Sequence, residues 1–251
     1  MLAKKFVISL LLAGPFISLL AMAQPLKLAA VWGLDSRFTG PESQWSSKPL
    51  PFTAAGREMF DYNIPGKGPR SQMPALGNDP MGTANPPGLY RTISYDLLRP
   101  WEFYVMDDRV VQTFEWGKHW RTIWTDGRPL PNDNVAGPFW YGYSVGRWEG
   151  STLVVQTNGL DGRQWLDMWG TPISDFARFE ERWTVEADDK LSIVLTVTDP
   201  DLYTESWTSD PIRFARQDPV TPNGEVSEQI FAPIDEEVFN RRVRDLLIPK
   251  D

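Results

Sequence analysis

From Arg99 to Arg216 the chain repeats one unit: a short run of alternating apolar and polar residues closed by a turn signal. Trp101, Phe103 and Val105 alternate with Glu102, Tyr104 and Met106 ahead of Asp107-Asp108. Val110–Trp116 and His119–Thr125 flank Gly117-Lys118, and Asp126-Gly127 ends the third run. The best-marked unit is Phe139–Gly159, a hairpin turning at Glu149-Gly150, where glycine supplies the positive φ that a tight turn demands. Asp175–Glu186 and Leu191–Thr198 flank Asp188-Asp189-Lys190, and Tyr203–Thr208 with Ile212–Arg216 completes the series. Such alternation turns one face of each run to a core, and Val, Ile, Thr and aromatics suit that pleated surface. No helical stretch intervenes, which argues against a parallel crossover sheet. The expected fold is all-β, an antiparallel up-and-down barrel of about eight strands.

The flanking segments obey other rules. Lys4 and Lys5 precede an apolar run, Phe6–Leu20, and Ala21-Met22-Ala23 stands before Gln24. That basic, apolar, small-residue order is that of a secretory signal peptide, and Gly14-Pro15 breaks a run already short for a membrane anchor. A periplasmic or secreted protein follows, with no membrane insertion after cleavage. Pro25–Tyr90 is dense in Pro and Gly, which keeps backbone out of helix and sheet interiors. Yet Trp32, Phe38, Trp45, Phe52, Phe60 and Tyr62 make it too aromatic for a disordered linker. An ordered wrapping arm is expected, with one short helix, Ala54–Tyr62, capped by Thr53. Beyond Pro219–Gly224, Asp235 caps a second helix whose stripe is Val238, Phe239, Val243, Leu246 and Leu247. The boundaries are therefore 1–23 signal peptide, 24–98 arm, 99–218 barrel, and 219–251 loop and C-terminal amphipathic helix. A meandering barrel with a flanking helix is similar in layout to the lipocalins.

Charge and composition narrow the chemistry. The formal charge is −8, and loss of Lys4 and Lys5 makes it more negative still. Nucleic acid is a poor partner for such a chain, because phosphate binding needs clustered Lys and Arg. With 0 Cys there are no disulfides, thiolate nucleophiles, Cys zinc sites or iron–sulfur clusters, and 1 His leaves little for a His-rich metal site. Neither a phosphate loop nor a dinucleotide fingerprint is present, and no cofactor is expected. Gly142-x-Ser144-x-Gly146 has the spacing of a nucleophile elbow but sits inside a strand with no helix after it, so a serine hydrolase is rejected.

Gly142-x-Ser144-x-Gly146-Arg147-Trp148-Glu149-Gly150-x-Thr152-Leu153-Val154-Val155 and Trp165-Leu166-Asp167-x-x-Gly170-x-Pro172-x-Ser174-Asp175 carry a resemblance. Glu181-Arg182, Asp199-Pro200, Tyr203-Thr204 and Trp207-Thr208 extend it, as do Asp79-Pro80, Pro86-Pro87-Gly88, Asp108-Arg109-Val110 and Asp126-Gly127-Arg128 upstream. Together, over roughly Thr53–Thr208, they resemble a family of exported bacterial proteins of unassigned function. The resemblance implies an exported, mostly β domain and no particular activity. Relatives commonly carry His where this chain has Leu130, Tyr143 and Ile173, and Cys where it has Ala84. A His-metal mechanism, if relatives have one, has lost its ligands here.

Four groups of residues are candidates for function. Asp161, Asp167 and Asp175 share an irregular stretch with Trp165 and Trp169, where a carboxyl could be tuned as an acid or base. Turn formation and calcium binding are the alternatives, although no twelve-residue calcium loop is present. Glu181 stands alone in the apolar row Ala177, Phe179, Trp183 and Val185, so it is either functional or bonded to a buried Arg or Trp N–H. His119 opens a strand beside a turn, as a surface residue or a supporting base. Twelve Trp exceed ordinary use. Of the aromatics, Trp116, Trp124, Tyr141 and Tyr143 are expected to line the lumen, with Trp165 and Arg178 as further ligand contacts. The function expected is binding of a small hydrophobic or aromatic molecule in the lumen. A lyase or isomerase with Asp167, Asp175 or Glu181 as general acid/base and His119 in support is the alternative, and an envelope protein meeting a partner through its arm is the third.

Overall fold

The computed structural model describes residues 27–37, 39–73, 76–94, 100–132, 137–187, 189–218 and 224–227. The apolar leader and the helix expected from Asp235 lie outside the described residues. Among the described residues there are ten strands: β1 (Val31–Ser36), β2 (Trp101–Val105), β3 (Arg109–Phe114), β4 (Trp120–Trp124), β5 (Tyr143–Glu149), β6 (Thr152–Asn158), β7 (Arg178–Ala187), β8 (Lys190–Thr198), β9 (Trp207–Thr208) and β10 (Ile212–Arg216). Each runs next to its successor as far as β9, and β10 pairs with both β8 and β1. The sheet therefore closes.

β9 and β10 share one edge of β8, on Thr196–Val197 and on Lys190–Ile193 respectively, and act as a single interrupted strand. At the interruption the Ser209 hydroxyl accepts the Leu195 amide at 2.9 Å, in place of a backbone carbonyl. Pro211, which has no amide to donate, follows at once. Counted so, the barrel has nine strands.

Two features depart from the expected meander. β4 and β5 run parallel, with Ile123 opposite Ser144 and Trp124 opposite Val145, because the long connection 125–142 returns the chain to the end where β4 began. The layout is mixed, not purely antiparallel. The barrel also takes β1 from the stretch read as an arm, pairing Trp32 with Trp101 on one side and with Arg216 on the other.

Large aromatic side chains pack against one another in the interior. Trp101 meets Trp183 at 5.3 Å and Phe214 at 4.9 Å between ring centroids, and Phe103 meets Trp183 at 5.3 Å, all edge-on. That geometry sets the positive edge of one ring on the negative face of another. A short helix, α2 (Leu89–Ile93), is buried along its whole length and sends Tyr90 inward against Phe179, 4.4 Å away.

Outside the barrel, the helix α1 (Ala54–Tyr62) begins where the sequence placed it, and Thr53 Oγ1 accepts the Gly56 amide at 3.0 Å. The same hydroxyl donates to the Asp201 carbonyl at 2.9 Å, so the cap is also a tether. Phe52 stacks between Phe60 and Tyr203 at 5.1 and 5.2 Å. Gly56 lies so close to Leu202 that a Cβ would stand 2.0 Å from its carbonyl oxygen. Thr53→Ala loses both bonds and is expected to cost about 1–2 kcal/mol in urea unfolding, whereas Thr53→Ser should cost a few tenths.

Candidate functional site

Alternation along β7 buries Phe179, Glu181 and Trp183 and turns Arg178, Glu180 and Arg182 outward. Glu181 is wholly enclosed, and its carboxylate is met from four elements. Arg121 of β4 donates in parallel from Nη1 and Nη2 at 2.7 and 2.6 Å. Trp183 Nε1 donates at 2.7 Å, the Tyr90 hydroxyl of α2 at 2.9 Å and the Thr157 hydroxyl of β6 at 3.3 Å. Gln112 Oε1 in turn accepts from Arg121 Nε at 2.8 Å. Burial alone would raise the Glu181 pKa, but the Arg121 charge and these donors hold it below its ordinary value. Burial, then the neighbouring carboxylate, pushes the Tyr90 hydroxyl well above its own, so it stays a donor. A carboxylate so fixed is ionised and already coordinated by five hydrogen bonds.

Asp167 is equally enclosed but lies elsewhere, where the arm meets the loop after β6. Its Oδ2 accepts the Ser43 hydroxyl at 2.6 Å, the Gln44 amide at 2.8 Å and the Thr171 hydroxyl at 2.9 Å. Its Oδ1 accepts the Trp169 and Thr171 amides at 2.9 and 3.3 Å. Gln44 answers by accepting the Met168 amide at 3.0 Å. Asp175 is exposed and takes the Gly162 amide at 2.6 Å, while Asp161 takes the amide and guanidinium of Arg163. His119 follows the turn 116–118, half-buried, its ring 5.1 Å from that of Tyr141, and burial lowers its pKa. No hydrogen bond or ion pair joins any two of Asp167, Asp175, Glu181 and His119, and among the described residues no cluster of three or more His, Asp or Glu could hold a metal ion.

The expected lumen lining is corrected by the same alternation. Ile123 points inward, so Trp124 points outward, between the guanidinium carbons of Arg109 and Arg128 at 4.2 and 3.6 Å from its ring centroid. The Tyr143 hydroxyl accepts from Arg128 on that outer side. Trp116 lies in the turn before β4, and Tyr141 is partly buried against the core, its ring 5.8 Å from that of Phe114 and its hydroxyl 3.4 Å from that of Thr92. Trp165 is buried in the loop after β6, with Arg91 5.5 Å from its ring, and Arg178 is exposed at the start of β7. Ile173 is in the core and Ala84 on the surface.

One open feature escaped the sequence reading. A cleft of about 370 Å³ lies at the foot of α1, lined by Asp61, Asn63, Ile64, Arg70, Gln72 and Leu76. Arg70 lies 3.5 Å from the Phe60 ring centroid and donates to the Trp169 carbonyl at 3.1 Å. Burial lowers its pKa, with Asp61 opposing, but a guanidinium keeps its charge. Asn63 Nδ2 donates to the Gly170 carbonyl at 2.8 Å, which ties the cleft to the Asp167 loop. Gly68, at φ +86°, lies under the Trp169 ring where a Cβ would stand 2.5 Å away, so the turn into Arg70 requires glycine. Leu76 of its lining is 59 % exposed, and Tyr62 and Met73, adjacent in sequence to lining residues, are exposed too. The available signal was this scatter of large apolar residues in a Pro/Gly stretch that has no strand or helix period to bury them. Comparison with protein-family models, curated proteins and solved structures finds no match to the chain.

Proposed function

We propose that the protein binds a small apolar or aromatic molecule, and that the cleft at the foot of α1 is its site. The cleft carries this reading: its volume is within the range of small-molecule sites, Ile64 and Leu76 give it an apolar wall, and Arg70 gives it one fixed cation. Arg70 uses one donor on Trp169, and the rest of its fork can meet an anionic group on the ligand. Trp101, Phe103, Trp183 and Phe214 packed against one another inside the barrel favour the cleft over the lumen. Saturation of Glu181 and Asp167, and their separation from His119 and Asp175, favours binding over acid/base catalysis. The leader-like N-terminus supports the periplasm or the cell exterior as its compartment.

Titration with 1-anilinonaphthalene-8-sulfonate, which is aromatic and anionic, tests the proposal. Binding is expected, with Arg70→Ala and Leu76→Ser each weakening it about tenfold, near 1.4 kcal/mol, and Arg178→Ala leaving it unchanged. Equal affinity in all four proteins would overturn the site.

A further inference from the structure

The outer faces of β2, β3 and β4 carry a grid fixed by strand register. Glu102, Thr113 and Trp120 are cross-strand partners in one row, and Tyr104, Val111 and Thr122 in the next. Their sequence neighbours Phe103, Gln112 and Arg121 are buried, so the six side chains share the solvent side. Trp120 and Tyr104 occupy opposite corners, about 12 Å apart by ordinary strand spacings. They are 67 and 46 % exposed, although each lies in a strand. Single exposed aromatics need no account, but a pair of large rings on one sheet face with hydroxyls and a carboxylate between them forms a surface of definite chemistry.

We propose that this face is a glycan-binding platform for an uncharged, extended oligosaccharide, whose rings lie flat on Trp120 and Tyr104. Flat C–H faces of sugar rings match exposed indole and phenol rings. The hydroxyls of Thr113 and Thr122 and the Glu102 carboxylate lie where sugar hydroxyls would need donors and acceptors. Tyr104 is held for this, because its hydroxyl donates to Glu102 at 2.5 Å and fixes the ring's position. β3 has backbone partners on both sides, so a peptide strand cannot add along the middle of the face. Glu102 on the face and a chain of net charge −8 disfavour an acidic polymer. The separation of the two rings fits a chain of several sugars rather than one.

Calorimetric titration of the full chain with cellohexaose and with chitohexaose tests this, with polygalacturonate as the charged control. At least one hexasaccharide should bind and the polyanion should not. Trp120→Ala and Tyr104→Ala should each weaken binding at least tenfold, while Tyr62→Ala leaves it unchanged. Both platform side chains are exposed, so circular dichroism and Tm should hold in the variants, and a fall in either would show that the rings serve the fold. Failure of both hexasaccharides to bind, binding that survives the double variant, or preference for the polyanion would overturn the platform. Dissociation of a dimer in the double variant without any glycan binding would also overturn it, and would make the face a contact between copies. The cleft reading is untouched by any of these results.

Discussion

Arg121→Met is expected to destabilise the protein by about 3–5 kcal/mol, because it leaves the Glu181 carboxylate buried without its counter-ion. Glu181→Leu strands the guanidinium and should cost a similar amount. Replacing both at once removes the desolvated charges together, so the double variant should recover most of the loss. Urea unfolding of the four proteins gives the coupling directly, and additive single effects would refute a tight pair. The pH dependence has a fixed sign. The Glu181 pKa is lower in the folded chain than in the unfolded one, so its contribution is complete above about pH 4.5 and is lost as pH falls through the folded value. Glu181→Leu should flatten that part of the acid-unfolding curve.

Asp167→Asn is expected to cost about 2–4 kcal/mol, since a carboxamide presents one acceptor oxygen to five donors and turns an N–H₂ toward the rest. Its effect should be local. Native-state hydrogen exchange is predicted to speed up at Gln44, Trp169 and Thr171 while amides of β6, β7 and β8 keep their protection. Equal acceleration throughout would show that arm and barrel open as one unit.

Features set by near neighbours in the chain were legible in the sequence. The alternation of β7 isolated Glu181 in an apolar row and named the two kinds of partner it has, an Arg and a Trp N–H. Thr53 with Ala54–Tyr62 was readable as a capped helix, and the turns at Asp107-Asp108, Gly117-Lys118 and Glu149-Gly150 join strands as expected. What could not be read was which distant segments meet. Nothing local in Val31–Ser36 announces that it lies between β2 and β10, and Thr125–Gly142 does not announce that it brings β5 parallel to β4. Asp167 illustrates the same limit. Its own stretch fits a turn, and only Ser43 and Gln44, far upstream, make it the anchor of the arm. Trp124 failed for another reason: Ile123 and Trp124 are both apolar, so pattern alone did not decide which of them the core would take.

The seam between β1 and β10 has a kinetic consequence. The ring cannot shut until segments from opposite ends of the chain have found each other, an encounter whose entropic cost no local hairpin reduces. Assembly by way of such a join belongs at the slow end of the folding range. Until it forms, two raw sheet borders stand open, and a neighbouring copy at the same stage is the most available stranger to pair with them.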